Sequence, residues 1–338
     1  MPDLFSWILF AVLVGGLLCL DLFVFHRDAR PVRMREAAAW VAVWVALGLG
    51  FGAWIFLTRG ATSGGEYLAG YLIEYSLSMD NVFVFAVLFG YFAVPAAYQH
   101  RLLFWGVLGA IVFRAIFVVG GIALLESFAF VVYVFGALLL LTAWRMLSAD
   151  AEHVDPGANP VLKLVRRLVP MTDGYRGHRF FVREGGRLLA TPLFAALVVI
   201  ETSDVMFAID SVPAILSVTT DTFIVFTSNA FAIMGLRSLY FLLAGMVERF
   251  AYLKYGLAAL LAFAGAKLLL SDVVHLDVWV SLGIIVSILV VSVVASLIAT
   301  SRESDAPARD SAVRWRLALG MIGAALLLAA MVAMLSLL

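Results

Sequence analysis

The chain has 338 residues, of which 64% are hydrophobic and only 14% charged, with a mean hydropathy of +1.05. Soluble domains carry about a quarter charged residues, so the composition excludes one and reads as an all-α, polytopic membrane protein. Lys and Arg balance Asp and Glu at a formal net charge of +0, and no basic domain points to nucleic acid. The single Cys19 rules out an internal disulfide and a cysteine-based metal cluster.

In chain order, the first apolar run, 6–25, has no basic residue before it and the basic segment HRDARPVRMR after it. That is the opposite flank from a signal peptide, so it reads as a retained span with its N-terminus outside. Windows of about 20 residues give further spans at 37–57, 67–90, 102–124, 128–147, 191–216, 222–246, 255–270, 278–300 and 317–338, ten in all. The five histidines fall in loops or at span ends, which argues against an intramembrane zinc site. The Arg-rich connections alternate with connections such as SVTTD and SDVVHLD that carry almost no basic residue. By the positive-inside rule both termini are then outside the cytoplasm. The hydrophilic segment 148–190 holds Lys163, Arg166, Arg167, Arg176, Arg179, Arg183 and Arg187 against five acids. It is either a connector whose charge fixes topology or a basic element resting on anionic headgroups.

Two spans carry acidic clusters. The sixth contains VIETSDVMFAIDSVP, with Glu201, Asp204 and Asp210, and the third contains EYSLSMDNVF, with Glu74, Asp80 and Asn81. An ionised Asp at a membrane midplane costs roughly 2.5–3.5 kcal/mol, so such clusters must be paired, protonated or bound to a cation. Pro213 predicts a break in the sixth span that frees carbonyl oxygens beside Asp210. Broken helices of this kind line transporter sites. The alternative is a proline kink whose acids pair with arginines.

The two clusters share a pattern, D/E-x5-D-[NS]-V, and the spans that follow correspond as well. Arg114 in the fourth span matches Arg237 in the seventh, and Arg145 in the fifth matches Lys267 in the eighth. Since the third and sixth spans run in opposite directions, the segments 67–147 and 191–270 read as inverted repeats of three helices. The basic segment 148–190 joins them, and 1–66 and 271–338 are peripheral. Inverted repeats place a substrate site where they meet, at the midplane.

From residue 37 to residue 270 the chain resembles the TerC/Alx family of integral membrane proteins. The resemblance runs through EYSLSMDNVFVF, FVREGGRLLATPL, ETSDVMFAIDSVPA, TSNAFAIMGLRSLYF and YLKYGLAALLAFAGAKLLL. It implies a bacterial inner-membrane protein linked to manganese export and to tellurite-resistance operons, distantly similar to LysE-type exporters, whose motif acids bind metal. The span 317–338 lies outside the matched region.

The expected function is therefore export of a divalent cation, Mn²⁺ as transported substrate, with no organic cofactor. Glu74, Asp80, Asn81, Glu201, Asp204 and Asp210 are the candidate ligands or proton carriers. Oxygen donors suit Mg²⁺, Ca²⁺ or Mn²⁺, and Met79 and Met206 beside the acids would favour Mn²⁺ unless they are packing residues. Asn229 adds an amide oxygen or a helix–helix hydrogen bond. Arg114 and Arg237 balance the acids, with Lys267 as a third cation nearer a helix end. Five acids cannot all stay ionised in an empty low-dielectric site, so exchange for protons is expected. The competing classes are an intramembrane aspartyl or metal-dependent hydrolase, a serine hydrolase at Ser211 that lacks a nearby base, and a non-transporting scaffold. Enzymatic activity is not expected, and the sequence leaves the oligomeric state open.

Overall fold

The computed structural model describes residues 4–23, 34–148, 159–243 and 252–303, with backbone alone for 19–23, Asp80 and 297–303. The predicted last span and the Asp80 side chain therefore lie outside the described residues. The rest is almost entirely helical: α1 (Leu4–Phe23), α2 (Met34–Arg59), α3 (Ala61–Tyr91), α4 (Ala96–Ser127), α5 (Val131–Ser148), α6 (Pro160–Leu168), α7 (Pro192–Leu216), α8 (Thr222–Met234), α9 (Leu236–Leu243), α10 (Leu253–Leu269) and α11 (Val278–Glu303). Among the described residues seven helices are long and apolar enough to cross a membrane: α2, α3, α4, α5, α7, the α8–α9 run and α11. The chain is thus a polytopic helical membrane protein. Its α1 and α10 fill the places of the predicted first and eighth spans.

The predicted interruption falls in a different helix. α7 stays helical through Pro213, which sits in its last turn, where Ser217 N–H donates to the Pro213 carbonyl at 3.1 Å. A proline there sacrifices little, because the helix ends three residues later. The seventh span is the one that divides, at Gly235 between α8 and α9. A Cβ on Gly235 would stand 3.3 Å from Trp44 Cβ, so the glycine lets α2 approach closely.

Packing is reciprocal across the two halves: α3 lies on α8, α4 on α7, α5 on α10, and α3 also meets α7. α2 and α11 are close-packed on α3 as well. The rings of Tyr67 and Tyr71 occupy the places that side chains at Gly52 and Gly48 would fill, and Tyr67 Oη donates to the Gly48 carbonyl at 3.0 Å.

Two apolar layers close the bundle centre from either end. Toward the α3–α4 turn lies a cluster that includes Phe85, Phe89, Leu103, Val107, Leu193 and Leu239. Toward the opposite end lies a smaller plug of Val118, Ile122, Val212, Ile215, Leu216 and Val225. Segment 159–191 caps the first end. There α6 is followed by a hairpin of β1 (Phe181–Glu184) and β2 (Arg187–Ala190). Gly185 and Gly186, with φ of 58° and 80°, form its two-residue turn, a geometry that only glycine adopts freely. The hydroxyl of Tyr175 donates to the Phe92 carbonyl at 2.7 Å, fixing this cap to the α3–α4 turn.

Candidate cation site

Between the two apolar layers lies a buried polar cluster drawn from four helices. Glu74 and Ser78 share a face of α3 at one-turn spacing, and Ser78 Oγ donates to Glu74 Oε1 at 3.3 Å. Arg114 of α4 is 1% exposed and forms an ion pair with the wholly buried Glu74. The same Nη1 donates to Ser211 Oγ of α7 at 2.7 Å and to Asn229 Oδ1 of α8 at 3.0 Å. One guanidinium nitrogen thus joins all four helices, while Nε of the same group has no hydrogen-bond partner among the described residues. Because the Ser211 oxygen receives Arg114, this serine sits against a cation and not against a base.

Asp204 stands at the midpoint of α7 and is buried, with Asn81 Nδ2 at 3.5 Å from its Oδ1. Its Oδ2 is buried with no hydrogen-bond partner among the described residues. The Oε2 of Glu201, one turn earlier on the same helix, is in the same condition. Bare carboxylate oxygens in an apolar bundle are expensive unless a proton or cation satisfies them.

The Glu201 carboxyl fits only because α4 presents glycines to it. A Cβ built on Gly109 would collide with that carboxyl, and one on Gly106, a turn away, would stand 3.0 Å from Ile200 Cγ2. Gly109→Ala is therefore expected to destabilise the wild type by about 1–3 kcal/mol through overpacking. In a Glu201→Ala background it should stabilise instead, since alanine is the better helix former by about 1 kcal/mol. Melting of the four variants in detergent tests the reversal of sign.

The remaining predicted residues divide between this cluster and other places. Asn229 joins it, with Nδ2 turned back to the Val225 carbonyl at 2.9 Å. Asp210 is directed toward α5, where Thr142 Oγ1 donates to its Oδ1 at 2.8 Å. Met206 is 65% exposed on the outside of α7, because two residues along a helix is more than half a turn from Asp204. Met79 packs against the apolar layer near Phe85. Arg237 is buried just past the α8–α9 division. Lys267 lies at the far end, its Nζ donating to Ser281 Oγ of α11 at 3.0 Å. No group of three or more His, Cys, Asp or Glu side chains converges among the described residues. Thr142 and Gly109 went unpredicted. The spacing of Gly106 and Gly109, three apart on one helix face, was the available signal for the second.

On the far side of the plug a cavity of about 470 Å³ opens between the ends of α4, α5, α7 and α10. Ile122 and Leu216 belong both to its wall and to the plug, and Glu126, Ser217, Lys267 and His275 supply its polar lining.

Comparison with known proteins agrees with this architecture. Residues 59–304 match the integral membrane protein TerC family. An uncharacterized membrane protein of Myxococcus xanthus is 48% identical over 305 residues, covering 89% of this chain and 96% of that protein. Alx of Escherichia coli K12, named as a proposed membrane-bound redox modulator, is 49% identical over 295 residues, 85% of this chain and 92% of its own. An uncharacterized membrane protein of Rickettsia bellii is 38% identical over 293 residues, 87% and 97% of the two chains. No solved structure is significantly similar. With a family match across most of its length and relatives at nearly half identity over their whole span, this chain belongs to the TerC family of integral membrane proteins.

Proposed function

We propose that the chain exports a hard divalent cation, Mn²⁺ in the first instance, in exchange for protons across the bacterial inner membrane. The observation that carries this reading is the pair of carboxylate oxygens, Glu201 Oε2 and Asp204 Oδ2, buried one turn apart at the middle of α7 with no hydrogen-bond donor among the described residues. A cation would complete them. Asn81 offers an amide oxygen beside Asp204, and Glu74, held by Arg114, would join as a ligand only if the guanidinium withdrew. Asp80, directly before Asn81 on α3, is a further candidate ligand. An all-oxygen donor set suits Mn²⁺, Mg²⁺ or Ca²⁺. A site with more carboxylates than it can leave bare takes up protons when the metal departs, which couples the two movements.

The inverted-repeat arrangement is part of this reading. It is supported by the exchange of partners in which α3 packs on α8 and α4 on α7, while α5 meets its own counterpart α10. Pseudo-twofold packing of this kind puts the shared site at the centre of the bundle. The orientation follows from the basic connections: Thr220→Cys should react with an impermeant thiol reagent from outside intact cells, and Arg176→Cys should react only after permeabilisation. The reverse pattern would overturn the assigned direction.

The transport reading is tested with purified protein in liposomes given one cation at a time. Mn²⁺ flux should be accompanied by opposite proton movement and should respond to an imposed pH gradient at fixed voltage. Flux indifferent to that gradient would remove proton exchange from the reading, and no flux of any divalent cation would remove the reading itself.

A further inference from the structure

A nine-residue helix is too short to persist in water by propensity alone, yet α6 is built to hold its shape. The side chain of Asn159 accepts from the backbone N–H groups of Val161 and Leu162 at 2.9 and 3.1 Å, and Pro160 occupies the first turn. Leu162, fully buried, docks the helix on α7. Beyond its end, Ala190 N–H donates to the Pro170 carbonyl at 2.9 Å, tying the chain that leaves α6 to the last residue of β2, two positions before α7. α6 is thereby fixed at the level where the membrane helices begin.

What α6 does with its other faces is the unusual part. Val161, Leu164 and Leu168 lie on one stripe by their three- and four-residue spacing, and they are 39%, 54% and 69% exposed. Lys163, Arg166 and Arg167 lie on the opposite side, also exposed, and the helix contains no acid. An apolar stripe left bare on a helix whose other face is wholly basic is the pattern of a helix lying in the membrane interface. Its neighbour β2 continues the pattern, with Arg187 and Leu188 both exposed.

We propose that α6 is an interfacial helix that seats on anionic phospholipid, its Val161–Leu164–Leu168 stripe entering the acyl boundary and its Lys163, Arg166 and Arg167 meeting the phosphate headgroups. Charge complementarity selects this occupant: basic residues at a surface gain about fivefold each from an anionic leaflet, and the apolar stripe gives a lipid surface something that a soluble anion could not use.

The test uses the full chain in vesicles, with Cys19→Ser and Leu164→Cys carrying an environment-sensitive fluorophore. In phosphatidylglycerol-containing vesicles the emission should shift to the blue and be quenched by lipids spin-labelled near the headgroup. Both effects should weaken in pure phosphatidylcholine and in the Lys163→Gln, Arg166→Gln, Arg167→Gln triple variant. Inorganic phosphate added to the detergent-solubilised protein should leave the emission unchanged. A water-like, unquenched emission in phosphatidylglycerol would overturn the proposal and leave α6 as a docking face for a soluble protein. So would equal emission in the two lipids, or an emission shift on phosphate alone.

Discussion

Arg114→Ala is expected to be the most damaging single substitution in the bundle. It removes the ion-pair partner of a wholly buried Glu74 and strips a donor from both Ser211 and Asn229. Breaking one side of a buried pair costs about 3–5 kcal/mol, because the remaining charge is left uncompensated. Stability margins of whole domains are only about 5–15 kcal/mol, so low yield and a much lower melting temperature in detergent should follow. Adding Glu74→Gln in the same chain removes the stranded charge and should recover a large part of the loss. If the double variant melts no higher than Arg114→Ala, the damage comes from lost packing and not from the carboxylate.

Asp204→Asn should do the opposite: spare the fold and remove the transport. The substitution keeps the shape of a side chain that is buried at the midpoint of α7 and leaves an oxygen for Asn81 to meet. It also lightens the electrostatic load of an apolar site, so melting should hold or rise. Loss of a neighbour that merely orients a metal ligand costs 10–100-fold in affinity, and loss of a ligand charge should cost at least about 100-fold in Mn²⁺ flux. Asp210→Asn provides the contrast, because Asp210 is turned to Thr142 on the α5 side. It should lower flux less than Asp204→Asn does. Wild-type flux in Asp204→Asn would dismiss the central site, and equal losses in both variants would draw Asp210 into the same path.

Much of this arrangement was legible in the sequence because charge is so expensive in an apolar chain that it marks its own position. Glu74, Arg114 and Asp204 stood out for that reason, and the structure brings them into one cluster with the neutral amide of Asn229. Membrane crossing was equally plain, since only hydrophobic length is needed to read it. Azimuth was harder. Neither two nor six residues returns to the face of Asp204 on an unbroken helix, so Met206 and Asp210 point elsewhere once α7 stays helical through Pro213. Backbone breaks were harder still. Pro213 carries the stronger local signal, yet its cost depends on how much helix follows, while Gly235 divides α8 from α9 with no proline to announce it. The spacing of Gly106 and Gly109 marks a face of close approach on α4, but not that Glu201, more than ninety positions away, is what fills it.

The two apolar layers around the polar cluster are unequal, yet Asp204 is nearly central between the two ends, and this matters electrically. Along α7 the plug occupies the stretch from Ser211 to Ser217, which opens onto the cavity. Six helical steps amount to ~9 Å. In the other direction the chain runs from Glu201 back to Pro192 through apolar residues, and α3 runs from Asn81 to Tyr91, on the order of 13–15 Å. A membrane voltage drops mainly across layers that exclude water, in proportion to their thickness. Measured from Asp204 itself the two paths are nearly equal, twelve residues back to Pro192 and thirteen on to Ser217, so an ion there would sit close to the electrical middle. Moving one elementary charge through the full field is worth about 2.3 kcal/mol per 100 mV. On the proposed export reading, that work would divide almost evenly between loading the site from the hairpin end and emptying it toward the cavity.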